Sequence, residues 1–282
     1  MRIIQMLPTF AYGDAIGNDT LALQDTLRKA GYETEIYADV IDAKLGKDAA
    51  KQAKDYSYKE EDVIFYHLST GSDLNYKITE YPGRRIIMYH NVTPPQFFKG
   101  FNPDAEKACA DGLRAARYLA KKTDLCIVDS AFNKMDLLAM GYDCPMEVLP
   151  VLIAFDDYKK EPDKKVIKAY DDDWVNIVFT GRVAPNKCPE DIIAAFYYYK
   201  KNIQPKSRLF LVGRYDGVPA YKAQLDAYVK QLALEDVYFT GHVKFDEILA
   251  YYHIADVFVC LSEHEGFCVP LVEAMYFGVP II

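Results

Sequence analysis

Two glutamates near the end of the chain, Glu265 and Glu273, stand in the stretch SEHEGFCVPLVEAMYFGVP. Pro270 suits the first turn of a helix, which places Glu265 before that helix and Glu273 one turn inside it. A carboxylate accepts two hydrogen bonds from vicinal hydroxyls such as those of a ribose, and free N–H groups expected at residues 267 to 270 favour an anion. The spacing predicts that both acids face one crevice. The plain alternative is two surface acids, with Glu273 stabilising its own helix dipole.

Basic residues follow two other apolar runs in the same half of the chain. In FTGRVAPNKCPEDII, Arg182 and Lys187 lie between a predicted strand and a predicted helix. Arginine offers a bidentate fork to phosphate oxygens and lysine offers a point charge, while Gly181 permits close approach to the backbone. In LVGRYDG, Gly213 and Arg214 likewise follow an apolar run. We expect a phosphate-binding edge here, although solvated loop residues would give the same pattern.

In FTGHVKFDEI, a third apolar run ends at Gly241, and His242 and Val243 follow it. Backbone groups of such a turn can hydrogen-bond the edge of a nucleobase. A single loop histidine is more often a surface residue, so His242 alone is weak support. The predicted base contact therefore depends on the turn as a whole.

Short apolar runs that alternate with helical patterns position these residues. Expected strands are 2–7, 34–38, 62–68, 84–90, 124–129, 146–150, 174–180, 208–213, 237–241 and 256–262, and expected helices are 18–30, 103–121, 130–139, 188–201, 219–233, 245–252 and 269–277. Asn18 and Asp19 are the expected caps of the first helix, and Gly31 its end. The alternation predicts an α/β fold with parallel sheets, whose ligands bind beyond the carboxyl ends of the strands.

The charged segment 156–173 has few large apolar residues and is predicted to be a linker. It separates an N-terminal domain of residues 1–155 from a C-terminal domain of residues 174–282. The alternative is one large sheet interrupted by a long charged insertion.

Composition excludes several classes of protein. The 282 residues are 51% hydrophobic and 26% charged with a net charge of −8, which argues against nucleic acid as a partner. No apolar run approaches the roughly 18–20 residues of a membrane span, and the start MRIIQMLPTF predicts a strand rather than a signal peptide. The six cysteines form no CxxC pair, so reduced buried thiols are expected, with metal ligation as the alternative. A cytoplasmic location follows.

These motifs together resemble the retaining glycosyltransferases of family 4, which have the GT-B fold. SEHEGFCVPLVEAMYFGVP resembles the E-x7-E signature of that family, and FTGRVAPNKCPEDIIAAF resembles its donor-phosphate loop. FTGHV and YYHIADVFVCLSEHEGF are similar to its base and sugar region. In the first half, LPTFAYGDAIGND resembles a glycine-rich loop and YHNVTPP a histidine-bearing loop, so the resemblance covers essentially the whole chain.

The resemblance implies two Rossmann-like domains with parallel sheets facing a cleft, the first on the acceptor side and the second binding a nucleotide-sugar. Family members continue well beyond GVPII, so the second domain is expected to be incomplete. An exposed sheet edge would then favour self-association, and the activity of this chain is expected to be weak or absent.

The resemblance also implies a role for each matched residue. The family usually has glycine where this chain has Cys268. His90 would contact the donor sugar and the reaction centre, or else be a capped histidine at a strand end. The other implied contacts are the donor diphosphate for Arg182, Lys187 and Gly17, the ribose for Glu273, the donor sugar for Glu265, Gly266, Phe267 and Cys268, and the base for Gly241, His242 and Val243.

The implied reaction moves a hexose from a nucleotide-sugar to an acceptor hydroxyl with retention of configuration. Front-face attack is expected, with the departing phosphate oxygen taking the acceptor proton. No cofactor and no divalent metal are implied, and no Asp-x-Asp motif argues for one. The acceptor is a glycan, a lipid-linked glycan or a small molecule, and basic spots at 121–122 and 200–208 leave peripheral association with the inner membrane face open. A glycoside phosphorylase and a non-catalytic nucleotide-sugar-binding chain remain as alternatives.

Overall fold

The computed structural model describes residues 1–46 and 48–282, which divide into two compact units. The first unit is Met1–Gln96 with Asp104–Ala154, and the second is Phe97–Pro103 with Phe155–Ile282. The strands form two separate sheets, so the alternative of one large sheet is wrong. Among the described residues, no helix has both the length and the apolar character needed to cross a bilayer.

The first unit is built on a parallel sheet. Its strands are β1 (Arg2–Phe10), β2 (Glu33–Ile41), β3 (Lys51–Gln52), β4 (Asp62–Leu68), β5 (Arg85–Tyr89), β6 (Leu125–Val128) and β7 (Met146–Val148), and its helices are α1 (Ala15–Lys29), α2 (Leu74–Lys77), α3 (Pro103–Leu119) and α4 (Ala131–Ala139). In the described part of the chain the order is β3-β2-β1-β4-β5-β6-β7. The central strands are buried on both faces, because helices cover both sides of such a sheet.

The start of α1 differs from the prediction. The helix begins at Ala15 after Asp14, so Asn18 and Asp19 lie inside it and do not cap it. Asp19 is fully buried, and its Oδ1 accepts a hydrogen bond of 2.8 Å from the amide of Leu152. Asp19 was predicted to be a cap because an Asp near the start of a helix is typical of caps, whereas here it is a buried residue that binds another segment of its own unit. Gly31, with a φ of 86°, follows the helix end as predicted.

The second unit repeats the design around a smaller parallel sheet. Its strands are β8 (Val175–Thr180), β9 (Ser207–Val212), β10 (Val237–Gly241) and β11 (Val257–Phe258), and its helices are α5 (Lys164–Tyr170), α6 (Pro189–Asn202), α7 (Pro219–Gln231), α8 (Phe245–Ile254) and α9 (Val269–Tyr276). Within the described residues the order is β10-β9-β8-β11. All four strands are parallel, so their carboxyl ends meet at one edge.

The segment 156–173 is not an extended linker. Phe155–Lys159 forms a 3-10 helix, and α5 follows it. Val166, Ile167 and Tyr170 of α5 pack on the apolar cluster formed by Val178, Phe210, Val212, Tyr251 and Ile254. The lysines of α5 are exposed and most other charged residues of the segment lie outside the helix, which is why composition alone suggested a linker.

Candidate functional site

Three glycines stand where β8, β9 and β10 end in the second unit. Gly181 and Gly213 follow β8 and β9, Gly241 ends β10, and all three have positive φ values of 139°, 148° and 70°. A Cβ atom on Gly213 would lie 1.9 Å from the carbonyl oxygen of Gly181, which only glycine avoids. The strand ends therefore form a closely packed edge of bare backbone. His242 beside it is exposed, whereas Val243 packs on the core.

The structure brings Lys187 and Glu265 together, two of the acidic and basic residues predicted for this site. Lys187 lies in a 3-10 turn, Pro185–Lys187, and its ammonium forms an ion pair with the carboxylate of Glu265. The two side chains are 17% and 25% exposed, so the pair is largely shielded from water. Arg182 is exposed on the same loop, and Arg214 pairs with Asp216 at 2.6 Å instead of joining Lys187.

Two hydrogen bonds join the Lys187 loop to the Glu265 loop. The amide of Glu263 donates to the carbonyl of Asn186 at 3.1 Å, and the Asn186 side-chain amide donates to the carbonyl of His264 at 3.2 Å. Asn186 is only 3% exposed. These contacts fix the position of the Lys187 loop relative to the Glu265 loop.

The helix that carries Glu273 begins at a strained residue. Cys268 precedes α9 with φ 68° and ψ 64°, in the left-handed region that favours glycine. Cys188 precedes α6 in the same conformation. Free N–H groups were expected at residues 267 to 270, but Pro270 carries no N–H, so only those of Phe267, Cys268 and Val269 remain. The start of α9 still presents N–H groups beside Gly266.

The carboxylate of Glu273 is held by two tyrosines that the sequence did not indicate. Its Oε1 accepts a hydrogen bond of 2.5 Å from the hydroxyl of Tyr158, and its Oε2 accepts one of 2.7 Å from Tyr252. The Tyr252 hydroxyl also lies 2.6 Å from the Oγ1 of Thr180, the last residue of β8. Burial, followed by the nearby carboxylate, raises the pKa of both tyrosines, so both remain donors.

Tyr252 therefore connects Glu273 to the strand end that precedes Gly181. Each carboxylate oxygen has two lone pairs, so two acceptor positions of Glu273 remain for further hydroxyls. Thr180 ends β8, Lys187 lies in the turn that follows it, Glu265 lies in the loop before α9, and Glu273 lies in α9, so all four follow the carboxyl ends of β8 and β11.

In the first unit, His90 belongs to a buried row of polar side chains. Its Nδ1 lies 3.0 Å from Asp129 Oδ2 and its Nε2 lies 2.8 Å from His67 Nδ1. The other nitrogen of His67 lies 3.0 Å from Gln5 Oε1, and Gln5 Nε2 donates to the carbonyl of Thr20 at 3.2 Å. His90 directly follows β5 and both of its ring nitrogens have partners, which is what the alternative of a capped histidine at a strand end predicts. His67 and Gln5 lay in apolar strand patterns, which concealed them.

This row fixes where the protons lie. Because Gln5 Oε1 can only accept, His67 must donate from Nε2, and its Nδ1 must accept from His90. Burial, followed by His90, lowers the pKa of His67 far below its usual value, so it is neutral. Burial opposes a charge on His90, but the carboxylates of Asp129, Asp19 and Asp14 together raise the pKa of His90. In this arrangement Nε2 of His90 donates to His67 and Nδ1 donates to Asp129.

Gly17 is the third residue of α1, in the turn where backbone N–H groups lack helical acceptors. A Cβ there would lie 2.5 Å from the carbonyl oxygen of Ala11. The glycine is therefore required by close packing of the helix start on the preceding loop.

Two groups of described residues place ligand-type atoms within 4.8 Å of one another: Asp19, His67 and His90, and Cys260, Glu265 and Cys268. Neither suits a cation well, because the ring nitrogens of the first are engaged in hydrogen bonds and Lys187 already occupies Glu265. The run 171–173 does contain an Asp-x-Asp pattern, contrary to the sequence analysis. Its Asp172 and Asp173 pair with Arg208 and Lys206 near the amino end of β9, away from the glycine edge.

Comparisons with known proteins agree with this fold. Residues 159–282 match the family model described as "Glycosyl transferases group 1". The GDP-mannose-dependent alpha-mannosyltransferase of Mycolicibacterium smegmatis is 38% identical over 104 residues, which are 37% of this chain and 24% of that protein. The alpha-monoglucosyldiacylglycerol synthase of Acholeplasma laidlawii is 26% identical over 189 residues, 64% of this chain and 46% of that protein. The chain thus spans about a quarter to a half of these relatives.

Solved structures cover the whole chain. Sucrose-phosphate synthase from Thermosynechococcus elongatus aligns with a TM-score of 0.72 and 16% identity, over 100% of this chain and 80% of that one. Anabaena HepE, solved in complex with UDP-glucose, aligns with a TM-score of 0.74 and 17% identity over the same shares. The predicted α/β fold with parallel sheets, of the GT-B type, is confirmed.

Proposed function

We propose that this chain carries the donor-binding machinery of a nucleotide-sugar-dependent glycosyltransferase. The observation that carries the proposal is the convergence of Lys187, Glu265 and Glu273 on one glycine-lined sheet edge. The match of residues 159–282 to a glycosyltransferase family model supports it. Relatives named as mannosyl- and glucosyl-transferring enzymes favour a hexose donor.

In the second unit, Lys187 and the exposed Arg182 bind the donor diphosphate. Their charges stabilise the negative charge that builds on the departing nucleoside diphosphate, and the amides at the start of α9 add further donors. Glu273, oriented by its two tyrosines, accepts hydrogen bonds from the ribose hydroxyls. The turn at 241–243 contacts the base.

Glu265 and the backbone of residues 266–268 orient the donor sugar. Cys268 already has the backbone conformation that glycine would adopt, so the backbone can present its amide without a glycine at this position. In the first unit, the ring nitrogens of His90 already contact His67 and Asp129, so the predicted contact of His90 with the donor sugar is not part of this proposal, and that of Gly17 with phosphate stays a prediction. The reaction retains configuration through front-face attack, without a metal ion.

Calorimetric titration with nucleoside diphosphates tests the donor site directly. We expect binding of UDP or GDP in the absence of divalent metal, and loss of binding in Lys187→Met. Transfer is then assayed with UDP-glucose and GDP-mannose against hydroxyl acceptors, and NMR of the product gives the anomeric configuration. A chain that binds no nucleoside diphosphate would refute the proposal, and an inverted product would refute the retaining mechanism.

A further inference from the structure

Two thiols flank the loop that carries Glu265. The Sγ atoms of Cys260, shortly after β11, and Cys268, just before α9, lie 3.8 Å apart, and neither is in a disulfide. A disulfide bond is about 2.05 Å long, so the sulfur atoms need to approach by less than the width of one atom. The bond would close a ring around residues 261–267.

The two thiols differ in their readiness to ionise. The Cys260 sulfur lies within hydrogen-bond distance of the Cys268 sulfur, and Ser262 Oγ lies 3.4 Å from it. These hydrogen bonds lower the pKa of Cys260 against the opposing effect of burial. The same contact with Cys260, together with burial, raises the pKa of Cys268. Cys260 is half-buried and Cys268 is 9% exposed, so Cys260 is the thiolate that a small oxidant reaches first.

The first unit contains a second close pair of thiols, in which the pKa shift has the opposite direction. Cys126 and Cys144 have sulfur atoms 3.5 Å apart. Cys126 is fully buried in β6, and this burial, followed by the nearby Cys144, raises its pKa well above the usual value. Proximity is therefore shared by both pairs, whereas the pKa is lowered at Cys260 and raised at Cys126. The Cys126–Cys144 pair is a control inside the same molecule.

We propose that Cys260 and Cys268 form a reversible disulfide when the protein meets a peroxide, which makes them an oxidative modification site. The Cys260 thiolate attacks one peroxide oxygen, the O–O bond breaks, and hydroxide leaves a sulfenic acid on Cys260. The Cys268 sulfur then attacks the Cys260 sulfur, the S–O bond breaks, and water leaves with the thiol proton. Two thiols are oxidised by two electrons and one peroxide is reduced to water. A dithiol reverses the reaction.

The disulfide has a consequence for the proposed function, on which this step rests. The ring would contain Phe267 and end at Cys268, whose amides the proposed function gives to the diphosphate, and it would displace them together with the loop that joins Asn186. Oxidation should therefore weaken nucleoside diphosphate binding by about tenfold, and reduction should restore it.

Peptide mapping tests the disulfide itself. The whole chain is treated with a small excess of hydrogen peroxide, remaining thiols are blocked with N-ethylmaleimide, and the digest is analysed by mass spectrometry. We expect a linked pair of peptides containing Cys260 and Cys268 that disappears after dithiothreitol. The Cys126 and Cys144 peptides should remain unlinked. Cys260→Ser should abolish the link and Cys126→Ser should leave it intact, with circular dichroism verifying that both variants fold.

Blocked but unlinked Cys260 and Cys268 would overturn the proposal, as would a link between Cys126 and Cys144 formed equally fast. This readout requires no nucleotide, so its failure is distinct from failure of the proposed function, which appears as absent binding by the reduced chain. If the link forms but calorimetry gives equal affinities for oxidised and reduced protein, the control of binding is refuted.

Discussion

The ammonium of Lys187 and the carboxylate of Glu265 form an ion pair between two loops of the second unit. Each residue has a different proposed role, since Lys187 binds the diphosphate and Glu265 orients the sugar. The pairing means that a diphosphate competes with Glu265 for the same ammonium group. We therefore expect Glu265 to lower the affinity for the nucleotide if it also orients the sugar as proposed.

Glu265→Gln should bind a nucleoside diphosphate more tightly than the natural chain, by a few-fold. The amide removes a negative charge close to the phosphates and releases Lys187, which corresponds to about 1 kcal/mol. Sugar transfer should fall in the same variant, because the sugar loses its acceptor. Calorimetry and a donor-turnover assay separate the two effects.

Lys187→Met should weaken the same binding by at least about tenfold, because a charge-assisted hydrogen bond to phosphate is worth about 1.5–3 kcal/mol. Lys206→Met is the matched control, since Lys206 also pairs with an acid, Asp173 at 2.5 Å, but lies near the amino end of β9. Equal losses in the two variants would show that general charge, and not this edge, governs binding.

Tyr252→Phe should reduce both stability and nucleotide affinity. The hydroxyl contacts Glu273 and Thr180, and removing it leaves buried polar atoms without a partner, at a cost of about 1–3 kcal/mol. Urea unfolding measures the first effect and calorimetry with a nucleoside diphosphate the second. Tyr251→Phe is the neighbouring control, because the Tyr251 ring packs in the apolar cluster while its hydroxyl has no hydrogen-bond partner among the described residues. Identical behaviour of both variants would contradict the orienting role of Tyr252.

Periodicity predicted most of the fold because buried strands are short apolar runs with clear ends. The residues 62–68 and 237–241 were predicted to be strands and form β4 and β10 with those bounds. The run 256–262 was predicted too long, because only Val257–Phe258 pairs with β8. α5 was not predicted, because its packing residues Val166, Ile167 and Tyr170 are interspersed with charged residues.

The candidate site was predictable only where its residues follow strands in sequence. The carboxyl ends of parallel strands meet by geometry, so Lys187 and Glu265 could be placed together in advance. The tyrosines on Glu273 could not, since Tyr158 is 115 residues away and no spacing rule connects them. His67 carries no signal either, because a buried histidine in an apolar strand is indistinguishable from a core residue until its partners are known.

Gly213→Ala should strongly destabilise the second unit. Its Cβ would meet the Gly181 carbonyl at 1.9 Å, and its φ of 148° is unfavourable for alanine, so we expect a loss on the order of 3 kcal/mol. Gly217→Ala is the control, because nothing lies within 4 Å of its added Cβ. Denaturant unfolding compares the two. Equal stability of both variants would show that the glycine edge is not closely packed.

The stability of the chain should have a maximum near pH 6.5 that depends on the two buried histidines. Burial lowers the pKa of His67, so the unfolded chain binds a proton that the folded chain does not as the pH falls below 6.5. Stability then decreases by at most about 1.4 kcal/mol per pH unit. Nearby carboxylates, that of Asp129 first among them, overcome burial and raise the pKa of His90, so the contribution of His90 is complete below pH 6.5 and is lost as the pH rises through the folded value.

Urea unfolding across this range separates the two histidines through variants. His67→Gln should flatten the acid side, because the folded chain no longer excludes a proton there. Asp129→Asn should flatten the alkaline side, because His90 loses the carboxylate that holds its proton. An acid slope that persists in His67→Gln would mean that other groups carry it, and His67 would then not be the neutral ring that receives the proton of His90 in its hydrogen bond.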